Sequence, residues 1–340
     1  MAYTDIDKPS DYFNTKLYTG TGSTQSITGV GFQPDWVWIK DRDAANWNCL
    51  MDAVRGASKV IYSNESDAEA TVSTLLTSFD SDGFSLGAAA DGNRNTANFA
   101  SWNWKAGGSA SSNSNGSITS SVSVNQDAGF SIVSFTGNAT AGATIGHGLG
   151  SVPSLILTKN RDSAYNWHLW THAFSSYNDT IQLNTTAAKD TGTLLNNTAP
   201  TSSLITLGNS AVLNASGEKI IAYVFAEKQG YSKFGSYTGN GNADGTFVYT
   251  GFKPAFILAK DADSSDNWII HDTTRNPSNP VGAYLRPNLS SAEGTFSHYD
   301  ILSNGFKNLY AGGSLNGSGK NIIYMAFAEN PFVTSTGVPA

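Results

Sequence analysis

The sequence predicts an all-β protein made of three tandem antiparallel β-sandwich modules of a jelly-roll or lectin-like kind. Three observations carry that expectation. Charged residues are 14% of the 340-residue chain, 34 glycines are present, and Ser, Thr and Asn fill the connections; this mix suits short strands and tight turns better than helices. The phrase "KDRDAANW" at 40–47 returns as "KNRDSAYNW" at 159–167 and as "KDADSSDNW" at 260–268. Each return sits inside a longer repeat, roughly a hundred positions from the last, a period too long for a solenoid unit and suited to tandem domains.

Each copy opens near "YTGTGS" (18–23), "FTGNAT" (135–140) or "YTGNGN" (237–242). Next come "GFQPDWVWIK" (31–40), "GSVPSLILTK" (150–159) and "GFKPAFILAK" (251–260), in which a Gly is followed by Pro, a run of β-formers, and Lys. The run after Pro34, Pro153 or Pro254 is apolar on both faces, which predicts a central strand covered on both sides. The proline stands at its start, where a missing N–H does least harm. In the phrase itself, Lys ends the strand, Asp and Asn build a turn through side-chain to backbone bonds, and Trp opens the next strand. Asp43, Asp162 and Asp263 are then turn carboxylates, and Trp47, Trp167 and Trp268 share one structural position. The copies close on "ASWNWKA" (100–106), "AYVFAEK" (222–228) and "YMAFAEN" (324–330). Their alignment sets Trp102 and Trp104 beside Tyr223 and Phe225 and beside Met325 and Phe327, as core residues.

These signals divide the chain into an arm at 1–12, modules at 13–108, 129–230 and 231–332, and a tail at 333–340. Residues 109–128, from the Gly/Ser/Asn-rich "GGSASSNSNGSITSSVSVNQDAGF", read as a linker leading into a strand. The net charge of −7 disfavours a nucleic-acid partner, because phosphate binding needs a basic surface. Cys49 is the single cysteine, so no intrachain disulfide is expected, and its apolar neighbours suggest a buried thiol. The start "MAYTDIDKPSDYF" shows no secretory pattern and no apolar run is long enough to span a membrane. A soluble protein made in a reducing cytoplasm is expected.

Motifs of chemistry are weak. Asp261, Asp263 and Asp266 are closely spaced, but the loop lacks the glycine and bidentate Glu of an EF-hand, and the second copy offers Asn160 and Asp162 only. No metal or other cofactor is expected. "NGSGKN" (316–321) departs from a phosphate loop at Ser314 and Asn321, and its counterpart "NASGEK" (214–219) marks both as hairpin connectors. Glu227 and Glu329 recur once per copy at equivalent strand exits, so the fold places them and does not pair them for catalysis. No catalytic residues are assigned. The aromatic feature peculiar to one copy is "HLWTH" (168–172). On a strand His168, Trp170 and His172 point to one face, with the two histidines roughly 13 Å apart, too far to share an ion. Their face is a candidate partner or glycan contact, with domain-interface packing as the alternative.

"GSYTGNGNADGTFVYTGFKPAFILAKDADSSDNW", "WNWKAGG" and "YMAFAENPF" closely resemble the repeat modules of virion structural proteins of marine tailed bacteriophages, over about Asp11 to Phe332. Such proteins are often labelled tail fibre or minor structural proteins, or carry only a domain-of-unknown-function name. The resemblance implies a non-enzymatic component of the virion surface, assembled in the host cytoplasm: a tail appendage or fibre, or a capsid fibre or decoration protein. It implies other virion proteins as partners, a homo-oligomer such as a trimer, and a contact to a host surface glycan or protein. A glycan-binding receptor adhesin is the first alternative and a glycan-degrading enzyme the second. An adhesin should expose unpaired aromatics on one module, and an enzyme should show a cleft with convergent carboxylates.

Overall fold

A computed structural model of the protein describes residues 4–331; the tail at 333–340 lies outside the described residues. The chain is all-β. Among the described residues helix is limited to three four-residue turns and one short 3-10 turn, as expected of a chain in which Gly, Ser, Thr and Asn punctuate β-branched and aromatic runs. Every strand pairing is antiparallel, apart from one isolated bridge between Ile118 and Ile145.

One arrangement occurs three times. In the first copy the order across the sheet is Phe13–Thr19, Asn98–Trp104, Trp36–Asp41, Asn48–Asp52. In the second it is Phe130–Thr136, Lys219–Phe225, Leu155–Asn160, His168–Thr171. In the third it is Ser232–Thr238, Asn321–Pro331, Phe252–Asp261, Ile269–Asp272. The run after each proline is thus an inner strand, as its apolarity on both faces requires. Pro254 falls inside its strand, at an irregularity between Lys253 and Phe256, where a ladder tolerates a missing N–H. A second, smaller sheet covers one face of each copy: Gln25–Thr28, Gly83–Leu86 and Leu76–Asp80 in the first, Thr144–Gly146 and Leu204–Thr206 in the second. In the third it is formed by Phe247–Tyr249, Gly305–Asn308, Gly294–Leu302 and Val281–Tyr284.

Two expectations need correction. The supposed linker at 109–128 folds: Ser111–Asn113 and Ser120–Asn125 extend the second copy's sheet to eight strands. Val122 and Val124 alternate with serines, and Val122 is buried opposite Val133; that two-residue period outweighs a linker-like composition. Trp47 does not share a position with Trp167 and Trp268. The backbone amides of Asn48, Trp167 and Trp268 each donate to an asparagine side chain, Asn64 at 2.8 Å, Asn184 at 2.9 Å and Asn288 at 3.1 Å, so Asn48 is the counterpart. The three turns are equal in length, but in the first copy the tryptophan stands one position earlier, and a one-residue offset turns a side chain to the opposite face. Trp47 is 43% exposed and rests on Tyr62 of its own copy.

The other face of the three larger sheets carries the main core. Alternate residues of the inner strands, Trp36 and Trp38, Leu155 and Leu157, Phe256 and Leu258, belong to one apolar cluster. Their closing-strand partners complete it: Trp104 and Trp102, Phe225 and Tyr223, Phe327 and Met325. Trp36 stacks on Tyr223 at 4.4 Å, Trp104 meets Phe256 at 5.7 Å, and Phe225 meets Phe327 at 5.9 Å. Aromatic contacts therefore join each copy to both others. Each such pair adds about 0.5–1.5 kcal/mol beyond simple burial.

Candidate functional site

The repeated phrase builds a joint between copies. Within the turn, the Asp41 carboxylate accepts the amides of Asp43 (2.9 Å) and Ala44 (3.2 Å), Asn160 accepts those of Asp162 and Ser163 (both 3.0 Å), and Asp261 accepts that of Asp263 (2.8 Å). Asp43, Asp162 and Asp263 then accept the amides of Asn98 (2.7 Å), Lys219 (2.7 Å) and Asn321 (2.8 Å), tying each turn to the first residue of a closing strand. The lysines Lys40, Lys159 and Lys260 are fully buried, and their ammonium groups are held by backbone oxygens. Lys40 donates to Ala44, Asn46 and Ser290, Lys159 to Asn160 and Ser163, and Lys260 to Asp261 and Ser264. Burial lowers each of the three to about 8, since desolvation penalises the charged form.

From this turn each copy reaches its neighbour in the same way. The carbonyl oxygens of Arg42, Arg161 and Ala262 accept the amides of Glu293, Glu69 and Lys189, each at 2.8 Å. The first copy thus holds the third, the second holds the first, and the third holds the second. The next strand repeats the pattern: Trp167 Nε1 donates to Tyr62 O, Trp268 Nε1 to Gln182 O, and Asn48 Nδ2 to Leu289 O, each at 2.9 Å. Where an indole would stand in the first copy, Asn48 meets the 286–290 segment of the third.

Two of the three joints also carry buried ions. Glu69 bridges Arg161 (2.8 Å) and Arg55 (3.3 Å), while Arg55 pairs with Asp52, which accepts the Tyr223 hydroxyl at 2.7 Å. Glu293 likewise bridges Arg42 (2.7 Å) and Arg275 (2.8 Å), and Asp272 accepts Trp102 Nε1 at 3.0 Å. Burial alone would raise Glu69 and Glu293, yet hydrogen bonds and charge from their arginines hold both below the usual carboxylate range. The third joint has Thr171 and Met325 at the corresponding positions, and it is apolar.

The face proposed from "HLWTH" is not one open patch. Trp170 is 2% exposed, His168 is mostly buried with Nδ1 3.2 Å from Thr180 Oγ1, and the His172 side chain is 42% exposed. His172 Nε2 donates to Phe234 O of the third copy at 2.7 Å. Trp170 pairs with Ile156, as Met51 pairs with Val37 and His271 with Ile257; its counterparts are therefore Met51 and His271. Trp170 and His172 do meet at the wall of a cavity of 280 Å³. Glu227 and Glu329 are each engaged locally. Glu227 accepts from Phe234 N (2.9 Å) and Lys233 (3.0 Å), and Glu329 from Lys253 (2.8 Å) and Thr273 (2.9 Å). No grouping of three or more His, Cys, Asp or Glu able to hold a metal occurs among the described residues.

A surface feature of the third copy was missed in the sequence. Phe247, Tyr249 and Leu302 are 45%, 54% and 37% exposed on the outer sheet. Tyr249 lies opposite Gly305, and Gly305 opposite Leu302, so the three side chains flank a position without one. Gly305 is required there, because an added Cβ would stand 2.0 Å from Val248 O. The same ladder in the first copy pairs Thr28 with Gly83 and Gly83 with Asp80, and sets Ser26 opposite Ser85. Ser26, Thr28 and Asp80 thus stand where the third copy has Phe247, Tyr249 and Leu302. Aligning "SIT" (26–28) with "FVY" (247–249) would have exposed the difference, since Ile27 and Val248 are the buried residues of the two strands.

The chain belongs to the family described as a domain of unknown function, DUF7483, which matches residues 8–331. That single match spans all three copies and the joints between them. No curated protein and no solved structure matches the chain.

Proposed function

We propose that the protein is a non-enzymatic surface component of a bacteriophage particle, a tail appendage or fibre or a capsid decoration protein, and that it acts by contact. The observation that carries the contact reading is the row Phe247, Tyr249 and Leu302, on a ladder whose first copy has Ser26, Thr28 and Asp80. The fold does not require apolar side chains there, and exposed aromatics are what protein and glycan contacts use as anchors. The likeness of the repeated motifs to virion structural proteins supplies the setting. The partners proposed are another virion protein or a host surface glycan or protein, with trimeric self-association of whole chains part of the same proposal. The glycan-degrading alternative gains no support from Glu227 and Glu329, both already engaged: Glu227 with Lys233 and Phe234 of the third copy, Glu329 with Lys253 and Thr273 of its own.

Replacing the row by the first copy's residues, as Phe247→Ser, Tyr249→Thr and Leu302→Asp together, tests the reading. The variant should keep the wild-type melting temperature while particle incorporation or host adsorption falls. Unchanged incorporation and adsorption would overturn the contact reading. A map of the particle with this chain labelled should place it on the outside, and an interior position would contradict the proposal.

A further inference from the structure

The three copies act as controls for one another, and at one place the second differs. The strand Leu76–Asp80 covers this region in the first copy and Gly294–Leu302 covers it in the third. In the second copy Leu194 and Leu195 stand where the first has Leu75 and Leu76, but Asn196 and Asn197 then take left-handed φ values of 50° and 49°. No strand forms from there to Leu204, because two successive left-handed residues cannot continue a pleated ladder. The uncovered space is the 280 Å³ cavity, walled by Trp170, Phe174, Tyr177, Val152 and Pro200, with His172 at its edge.

The position of Trp170 is closed in both sister copies. Met51 is fully buried in the inner core of the first. His271 is bonded through one ring nitrogen to Ala283 O at 2.9 Å and through the other to His298 at 3.0 Å. Trp170 alone lines a cavity, and among the described residues its buried indole N–H has no acceptor. The indole nitrogen itself is enclosed, so what Trp170 gives the cavity is part of its wall. Trp36, Trp38 and Trp104 also lack indole partners, but they lie among the stacked rings of the main core.

The geometry points to this cavity as a binding site for one neutral pyranose ring, the end or branch of a saccharide. Tyr177 is 40% exposed and continues the Trp170 wall at 6.0 Å and 29°, giving the C–H face of a sugar an aromatic surface reachable from solvent. Sugar hydroxyls both give and accept hydrogen bonds, and the lining offers both roles. Because Phe234 O can only accept, His172 donates to it from Nε2 and leaves Nδ1 for a further hydrogen bond. Ser154 and Ser176 accept backbone amides through Oγ, at 3.3 and 3.1 Å, which leaves their O–H groups as donors. Among the described residues no Asp, Glu, Lys or Arg lines the cavity, and the nearby Glu227 lies behind His172 at 3.5 Å, which favours a neutral ligand. Its volume lies near the lower end for small-molecule sites, roughly 300 Å³. The site stands apart from the aromatic row of the third copy and does not depend on where the protein sits in a particle.

Titration of the full chain with D-glucose, D-galactose, D-mannose, N-acetyl-D-glucosamine and cyclohexanol, followed calorimetrically, tests the assignment. At least one of the sugars should bind with a Kd on the order of 1 mM. Tyr177→Ala should weaken that binding at least tenfold with an unchanged melting temperature. The inference fails if no sugar saturates the protein, if Tyr177→Ala binds as the wild type does, or if cyclohexanol binds as tightly as the sugars.

Discussion

Lys40, Lys159 and Lys260 show how one residue of the repeated phrase serves the fold. A buried ammonium without a carboxylate partner is costly unless hydrogen-bonded, and here backbone oxygens of the turn supply the bonds. The pH dependence follows from their folded value of about 8 against an unfolded value near 10.4. Between these values the unfolded chain binds more protons, so each lysine makes stability rise with pH across the window. Lys40→Met should therefore show a melting temperature whose rise from pH 8 to 10 is smaller than the wild type's; equal slopes would refute the buried-ammonium account. Asp263→Ala leaves the Asn321 amide without its acceptor and should cost about 1 kcal/mol, while EDTA leaves the wild-type melting temperature unchanged. An EDTA-induced drop would instead indicate a structural metal. That these residues build a turn is legible in their spacing. That the turn faces another copy is not, because nothing local in "KDRD" records what its carbonyls meet.

At the scale of the element, the tryptophans of the phrase part company. Trp167 and Trp268 are 0% and 1% exposed and each bonds a neighbouring copy, whereas Trp47 is 43% exposed. Trp167→Ala should cost about 3–5 kcal/mol, in line with large-to-small changes in a core. Trp47→Ala should cost about 1 kcal/mol or less, measured by chemical denaturation, and equal losses would show that the two share one environment after all. The sequence displayed three tryptophans in one motif and concealed the offset, because a tryptophan placed one position earlier in a turn of equal length changes the motif's spacing slightly and the side chain's direction completely. The inner strands were legible for the opposite reason: "WVWI", "LILT" and "FILA" are apolar on both faces, with Thr158 the one polar residue among them, as a strand covered on both sides demands. The strands at 111–113 and 120–125 were obscured by serine, whose small side chain is as compatible with a solvent-facing sheet edge as with a linker. The cavity beside Trp170 was out of reach, since it results from a strand that fails to form some twenty-five residues later in the chain.

At the scale of the whole molecule, the three copies close into a ring around a shared main core. The Arg42, Arg161 and Ala262 carbonyls each hold a different neighbour, and aromatic contacts cross all three boundaries. The first copy lies between the other two partners in this ring although it is distant from the third in sequence, which is why composition and period suggest tandem domains and not a closed unit. The first and third copies also hold apolar clusters between their own two sheets, but separation of any copy should expose its part of the shared core, the Trp36, Tyr223 or Phe327 face. Differential scanning calorimetry of the intact chain tests this most directly. A closed ring predicts a single transition whose calorimetric and van't Hoff enthalpies agree. Three resolved transitions, or a calorimetric enthalpy near three times the van't Hoff value, would mean that the copies unfold as independent domains.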